Sequence, residues 1–86
     1  MQTIYEYTFS LIDEQTVNMP LNAIILYCGI QRESICLWAL VDTEDLDGSR
    51  TFLIKGTGYQ CDDVKYANYV GTVQLNGFVW HVFERR

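Results

Sequence analysis

The dipeptide Asn76-Gly77 is the strongest local constraint in this sequence, because it joins two segments that have the composition of β-strands. Tyr69–Leu75 before it and Phe78–Phe83 after it are rich in aromatic and β-branched residues, which favour strands. An Asn-Gly pair readily adopts the positive φ angles of a type I′ turn, and the twist of that turn matches its flanking strands. The sequence therefore predicts a β-hairpin over residues 69–83.

Further segments of the chain also read as short strands, and they follow one another at regular spacing. They are Ile4–Phe9, Asp13–Asn18, Ala23–Ile30, Ile35–Val41 and Arg50–Lys55. Pro20 has no N–H to give to a ladder, so we expect a break at Met19-Pro20. In all, about six or seven short strands predict a mainly β fold, either a small antiparallel sandwich or a partly open barrel.

The two most apolar segments, residues 23–30 and 35–41, are separated only by the polar residues 31–34. Continuous apolar runs are typical of strands that are buried on both faces, so we predict a central hairpin with both faces covered. If its loop is centred on Arg32, Cys28 and Cys36 lie opposite one another across the ladder. A loop of the same size shifted by one residue would remove that pairing.

The connections between the later strands are polar. Asp42–Ser49 is acidic and contains Asp47-Gly48, which predicts a loop. Gly56-Thr57-Gly58 predicts a tight turn. The stretch that follows is less regular, and residues 61–67 form either one short helical turn, with Asp62 and Asp63 at its start, or a loop.

Size and charge limit the classes of partner. A chain of 86 residues forms one domain, 1–86, and half of its residues are apolar. The net charge of −5 repels phosphate backbones, so we expect no direct nucleic-acid binding and a partner with a basic surface instead. The longest apolar stretch, Ala23–Tyr27, is far too short to span a membrane, and the residues from Met1 to Glu6 do not resemble a signal peptide, which indicates a cytosolic protein.

No residue pattern predicts catalysis, a metal or a cofactor. The sequence has one histidine and no Cys-x-x-Cys spacing, so a metal site is not expected. His81 lies on a predicted strand, where it shares a face with Val79 and Phe83, and we interpret it as a structural residue. The three cysteines are interpreted as small core residues, namely Cys28, Cys36 and Cys61.

Seven blocks of the sequence together resemble a family of small proteins of unknown function that is widespread in bacteriophages and prophages. The blocks span nearly the whole chain in order: Ile4–Tyr7, Asp13–Pro20, Ala23–Leu26, Leu37–Asp42, Arg50–Gly58, Tyr69–Gln74 and Phe78–Glu84. The resemblance implies a phage context, and therefore a host cytoplasm, without implying an activity or a cofactor. Members of that family usually carry a histidine after the Gly-Thr-Gly turn, where this chain has Tyr59.

The leading functional hypothesis is a phage-encoded, non-enzymatic inhibitor that binds and blocks a bacterial defence complex, with anti-CRISPR activity as the leading subtype. Such complexes hold nucleic acid in basic channels, which an acidic surface complements. Ordinary protein docking is an equally open mode of binding. The candidate binding residues are six acids and two tyrosines that flank the less regular stretch: Asp42, Glu44, Asp45, Asp47, Asp62, Asp63, Tyr59 and Tyr66.

Two alternatives belong to other classes. The first is a structural or regulatory phage accessory protein that acts as a homodimer, with exposed strand edges at the ends of the chain pairing between copies. The second is a protein that sequesters a small nucleotide signal, which would require Arg32, Arg50 and Lys55 to converge.

Overall fold

The computed structural model describes residues 1–86 and consists almost entirely of β-strands. The seven strands are β1 (Gln2–Thr8), β2 (Glu14–Pro20), β3 (Ile24–Gln31), β4 (Ser34–Asp42), β5 (Asp47–Gly56), β6 (Asn68–Leu75) and β7 (Phe78–Glu84). A single 3-10 turn at Asp62–Val64 lies within the stretch where a helical turn was one of the two alternatives. The prediction of a mainly β fold is confirmed.

The strands form two antiparallel sheets. Sheet A has the order β1-β4-β3, and sheet B has the order β2-β5-β7-β6. Strands β3 and β6 lie side by side where the two sheets meet, but no ladder joins them. The molecule is therefore a two-layer sandwich with open edges, and not a closed barrel.

The core lies between the sheets and is filled by alternate residues of each strand, as the period of two in a strand requires. Phe9 packs on Phe52 across the sandwich with 5.1 Å between ring centroids. Other fully or nearly fully buried core residues come mainly from β4, β5 and β7: Ile35, Leu37, Ala39, Val41, Ile54, Trp80 and Val82.

The hydrogen bonds of Arg50 link the two sheets at one end of this core. The Arg50 guanidinium donates to both Glu84 carboxylate oxygens, at 2.6 and 2.9 Å, and to the backbone carbonyl of Ala23 at 2.6 Å. A bidentate contact of this kind is stronger and more directional than a single hydrogen bond. Because Arg50 and Glu84 belong to sheet B and Ala23 immediately precedes β3, the contact links the two layers.

Two hairpins have two-residue turns with positive φ angles. The predicted hairpin at Asn76-Gly77 is confirmed, with φ angles of 55° and 81°. The β3–β4 hairpin has the same feature at Arg32 and Glu33, with φ angles of 51° and 61°. Neither residue is a glycine, so the sequence carries no comparable signal for this second turn.

The position of that second turn sets the register of the central hairpin. Its centre lies between Arg32 and Glu33, so Gly29 is opposite Cys36, and Cys28 is opposite Leu37. The predicted Cys28–Cys36 pairing is therefore wrong. Cys28 points into the core and Cys36 points away from it, so the two thiols lie on opposite faces of sheet A.

Three other predictions need correction. Strand β2 continues through Pro20, which is tolerated because it is the last residue of an edge strand. Strand β5 begins at Asp47, since Asp47 pairs with Pro20, so the acidic loop is shorter than residues 42–49. Cys61 is exposed and is not a core residue, whereas burial raises the pKa of Cys28 to about 11.

The seam between β3 and β6 has no space for a side chain at Gly71. A Cβ atom at this position would lie 2.8 Å from the Cβ atom of Cys28. We predict that Gly71→Ala lowers the free energy of unfolding by about 1–3 kcal/mol, the usual cost of overpacking a closely packed site. Urea denaturation of the two proteins measures this difference, and equal midpoints would show that the seam opens without cost.

Candidate protein-binding surface

The outer face of sheet A is apolar and exposed. Residues that alternate with the core residues of β4 point outward and line up with outward residues of β1 and β3. One row across the sheet consists of Ile4, Leu40 and Ile24, and the next consists of Glu6, Trp38 and Tyr27. Ile24 is 58% exposed and Tyr27 is 65% exposed, so nothing in the chain covers this surface.

A bulge in β3 enlarges this surface. The register shifts between Ile25 and Tyr27, so Leu26 is an extra residue that points outward next to Tyr27. The Tyr27 ring packs beside Trp38 with 5.9 Å between centroids. Together these side chains form what we name the apolar face, which consists of Ile4, Ile24, Leu26, Tyr27, Trp38 and Leu40.

The prediction that both faces of the central hairpin are covered is wrong for this side of the sheet. Burial of both faces requires a layer on each side of the sheet. The sandwich has only two layers, so sheet A contacts sheet B through its inner face alone. Apart from Cys36, which is buried, the apolar residues of β3 and β4 that alternate with the core are consequently left in partial or full contact with solvent.

An acidic segment borders one end of the apolar face. Asp42 follows Leu40 on the outer side of β4, and the chain then turns through residues 43–46 into β5. The segment Asp42–Asp47, which we name the acidic loop, contains four of the predicted binding residues: Asp42, Glu44, Asp45 and Asp47. Leu46 lies within it and is 79% exposed, so the loop itself also presents an apolar side chain.

The charge at this border is held in place. The N-terminal ammonium lies 3.3 Å from an Asp42 oxygen and 3.5 Å from a Glu44 oxygen. The backbone N–H of Glu44 and the N-terminal ammonium donate to Asp42, which holds the pKa of its carboxyl group below the ordinary value. Asp45 and Asp47 have no ion-pair partner, so they are free to meet a cation on another molecule.

The opposite border of the apolar face carries an internal ion pair. Arg32, in the β3–β4 turn, donates to the two carboxylate oxygens of Glu6 at 2.9 and 3.2 Å. Both groups are solvent-exposed to some degree, so the pair contributes little to stability. It neutralises the one carboxylate that lies within the rows of the apolar face.

The other predicted binding residues form a separate group. Tyr59, Asp62, Asp63 and Tyr66 all lie in the connection between β5 and β6. The acidic loop precedes β5 and this connection follows it. The ten residues of β5 separate the two by about 30 Å. The structure therefore places the eight predicted residues in two groups at opposite ends of β5.

In the second group, Asp63 has a structural partner. Lys55 is only 5% exposed, although it lies on the outer face of sheet B, and its Nζ donates to Asp13 at 2.7 Å and to Asp63 at 2.9 Å. Burial lowers the pKa of Lys55, but these two hydrogen bonds outweigh it and leave the pKa above its ordinary value. This triad of Asp13, Lys55 and Asp63 holds the β5–β6 connection against the outer face of sheet B.

The two predicted tyrosines differ in their surroundings. Tyr59 packs edge-on against Trp80 with 5.8 Å between centroids, and it borders an apolar cleft of about 150 Å³ whose other walls include Leu11 and Ile12. Tyr66 is 71% exposed and has only Lys65 near its ring. Of the two, Tyr66 is the one that presents a whole aromatic side chain to solvent.

His81 lies on the outer face of sheet B within a chain of hydroxyl groups. Its Nε2 is 2.7 Å from the Thr57 hydroxyl and its Nδ1 is 3.0 Å from the Thr72 hydroxyl. Thr72 in turn lies 2.6 Å from the hydroxyl of Tyr69. The ring is thus held between two strands and a turn, which agrees with the interpretation of His81 as a structural residue.

The three cations proposed for an anion site do not converge. Arg32 lies in the β3–β4 turn, Arg50 contacts Glu84 on the neighbouring strand β7 of sheet B, and Lys55 lies on the other face of β5 from Arg50. Each of them is already bound to carboxylates. The geometry therefore disfavours a site for a phosphorylated nucleotide built from these three residues.

We predict that Lys55 depends on having at least one carboxylate partner. The double variant Asp13→Asn/Asp63→Asn should lose more stability than the two single variants added together, because only the double variant leaves a buried ammonium group without a counter-charge. The stability of the unmodified protein, the two single variants and the double variant is measured by thermal unfolding at neutral pH. Adding Lys55→Met to the double variant should restore most of the loss, and additive single effects would contradict the role given to the triad.

The same triad predicts an acid-dependent loss of stability. The hydrogen bond from Lys55 holds the pKa of Asp63 below its ordinary value, so the ionised form stabilises the folded state above about pH 4. That contribution disappears as the pH falls through the lowered pKa of the folded state. We expect the melting temperature of Asp63→Asn to fall less than that of the unmodified protein between about pH 5 and pH 2.

Comparison with known proteins gives a family whose function is unknown. A family model described as a domain of unknown function, DUF7352, matches residues 1–86. No curated protein and no solved structure matches the chain. No helix in the structure has the length and apolar character needed to cross a membrane.

Proposed function

The chain belongs to the DUF7352 family of domains of unknown function, and we propose that it is a non-catalytic, protein-binding domain. The observation that carries this proposal is the apolar face of sheet A, with the acidic loop at its border. The core of a protein interface is typically rich in aromatic and large aliphatic side chains, and its rim is polar. The apolar face and the acidic loop have this arrangement.

The size of the apolar face supports a docking role. Its six side chains are contiguous, and four of them are at least half exposed: Ile4, Ile24, Leu26 and Tyr27. Soluble monomers rarely expose a large contiguous apolar patch without a use for it. Trp38 lies on the central strand of sheet A and Tyr27 packs beside it, and these are the residue types that most often dominate binding energy.

The charge around the face specifies the chemistry of the partner. The acidic loop supplies free carboxylates at Asp45 and Asp47, and the whole chain carries a charge of −5. A complementary surface has an apolar patch with Lys or Arg at one side. Such charge complementarity increases the rate of association and selects the partner more than it adds affinity.

A more specific proposal is a phage-encoded inhibitor that docks on a bacterial defence complex in the host cytoplasm, with a CRISPR effector as the leading target. Its support is the resemblance to phage and prophage proteins, together with the acidic border of the face. Defence effectors that hold nucleic acid present basic surfaces of the required kind.

The test is to place charges on the apolar face. We predict that Ile24→Lys/Leu26→Lys weakens partner binding by about 30-fold or more, because a buried charge replaces hot-spot contacts. The tagged protein is purified from bacteria that carry an active defence system, the partner is identified by mass spectrometry, and both proteins are then purified for affinity measurement. Plaque formation by a defence-sensitive phage gives a second readout, and it should fall in parallel.

Tyr66→Lys is the control, since it places a lysine at an exposed aromatic position in the β5–β6 connection, away from the apolar face. It should bind like the unmodified protein. The reverse result, with normal binding by the face variant and lost binding by the control, would place the interface at the β5–β6 connection and reject the proposal.

The contribution of the acidic loop is tested separately. Asp45→Lys/Asp47→Lys should slow association and reduce its dependence on salt, because the loop then repels the cations that it is proposed to attract. Inhibition that is unchanged in this variant would remove the acidic loop from the mechanism, whatever the result for the apolar face.

A further inference from the structure

The sandwich has four edge strands, and three of them are protected from pairing with other chains. Strands β3 and β6 lie against each other, and each carries a bulge. Strand β2 ends in Pro20, and its first residue, Glu14, is held in an ion pair with Arg85. Prolines, bulges and covered edges are the usual means by which proteins prevent unwanted strand addition.

Strand β1 has none of these features. Its pairing with β4 runs without a break from Gln2 to Thr8, and it contains no proline and no lysine. Its only charged side chain, Glu6, is bound by Arg32. Strand β1 therefore presents a regular seven-residue edge to solvent.

The direction of the backbone groups along β1 follows from its two ends. The carbonyl oxygen of Met1 accepts a hydrogen bond from Thr43, and the N–H of Phe9 donates to Ile35, both at 2.8 Å. In an antiparallel ladder the residues that bond to a given neighbour alternate, so odd-numbered residues bond to β4. The even-numbered residues consequently direct N–H and C=O groups outward: Gln2, Ile4, Glu6 and Thr8.

We propose that β1 pairs with β1 of a second copy of this chain, antiparallel and about a twofold axis through Tyr5. The two copies of sheet A then form one continuous sheet of six strands, since each contributes three. Such an interface is isologous, because the same strand supplies both sides.

The outward backbone groups select this register. An axis through Tyr5 places Gln2 opposite Thr8 and Ile4 opposite Glu6 of the other copy, so all four outward residues exchange hydrogen bonds. An axis through Glu6 would place two glutamates directly opposite one another, which is unfavourable. An axis through Ile4 would leave the outward backbone N–H and C=O groups of Thr8 without partners on the other copy.

The dimer does not compete with the docking role proposed above, and it does not depend on it. Edge pairing covers neither apolar face, and it places the two apolar faces side by side on one six-stranded surface. A partner that itself has twofold symmetry would engage both halves at once and gain affinity from the second contact.

Mass in solution and a cysteine cross-link test the proposal. Sedimentation velocity at about 10–200 μM protein should show a species of twice the 10.0 kDa chain mass. In a Cys61→Ser background, Tyr5→Cys should form a disulfide-linked dimer under mild oxidation. The Cα atoms of directly opposed residues that do not exchange hydrogen bonds are about 4.5 Å apart, which a disulfide can span.

Thr3→Cys in the same background is the control for register. In the proposed dimer Thr3 lies opposite Tyr7 of the other copy, so the two introduced thiols are about 13 Å apart and cannot be joined. Equal cross-linking by the two cysteine variants would overturn the proposal, as would a dimer in which the Tyr5→Cys variant does not cross-link. A monomer over the whole concentration range would also overturn it.

Ile4→Pro separates dimerisation from folding. The N–H of Ile4 points outward, so proline removes a donor from the proposed interface without removing a hydrogen bond to β4. This variant should be monomeric with an unchanged far-ultraviolet circular dichroism spectrum. If it does not fold, the pair of cysteine variants still decides the question, and a folded Ile4→Pro variant that remains dimeric would place the interface elsewhere.

Discussion

The packing of two sheets face to face is the interaction on which the rest of this structure depends. A chain of 86 residues supplies enough strands for two layers, so each sheet has one face that a neighbouring sheet covers and one that it does not. Core residues such as Phe52 and Leu37 account for the covered faces. The outer faces then raise the question of how their apolar residues are covered. Such a residue is covered by a local segment of the chain, covered by a partner, or exposed to water.

The outer faces of the two sheets differ in how far the chain itself covers them. On the outer face of sheet B, Leu53 is fully buried and Lys55 nearly so, and the β5–β6 connection is fastened there through Asp63. Sheet A has no such connection, since β3 and β4 are joined by a two-residue turn and β4 leads into the short acidic loop. Tyr27 and Trp38 therefore remain uncovered on sheet A. This asymmetry supports a binding role for sheet A and a structural role for the connection on sheet B.

The sequence predicts the strands well because alternation and turn chemistry are local properties. Asn76-Gly77 is correctly identified from two adjacent residues, whereas the turn at Arg32 and Glu33 has no comparable signal, and the shift of its centre removes the expected pairing of Cys28 with Cys36. The apolar face was missed for a different reason. A continuous apolar run has the same composition whether a second layer covers its outer side or not, and the number of layers is a property of the whole chain. The signal that would have revealed it is the length of the chain, which is too short for a third layer.

The grouping of the acidic residues shows why a binding site is harder to predict than a fold. Asp47 and Asp62 are both exposed acids near the two ends of β5, and the sequence gives no reason to separate them. The structure separates them by the length of that strand and gives the acids of the two groups different surroundings: the Asp63 carboxylate binds Lys55, whereas the Asp45 carboxylate has no ion-pair partner. A carboxylate that is already paired within the chain is less available to a partner than a free one. The free carboxylates of the acidic loop, which starts at the end of β4, are therefore better candidates for recognition than the equally acidic residues at the other end of β5. Sheet A carries both the uncovered face and the unprotected edge of β1.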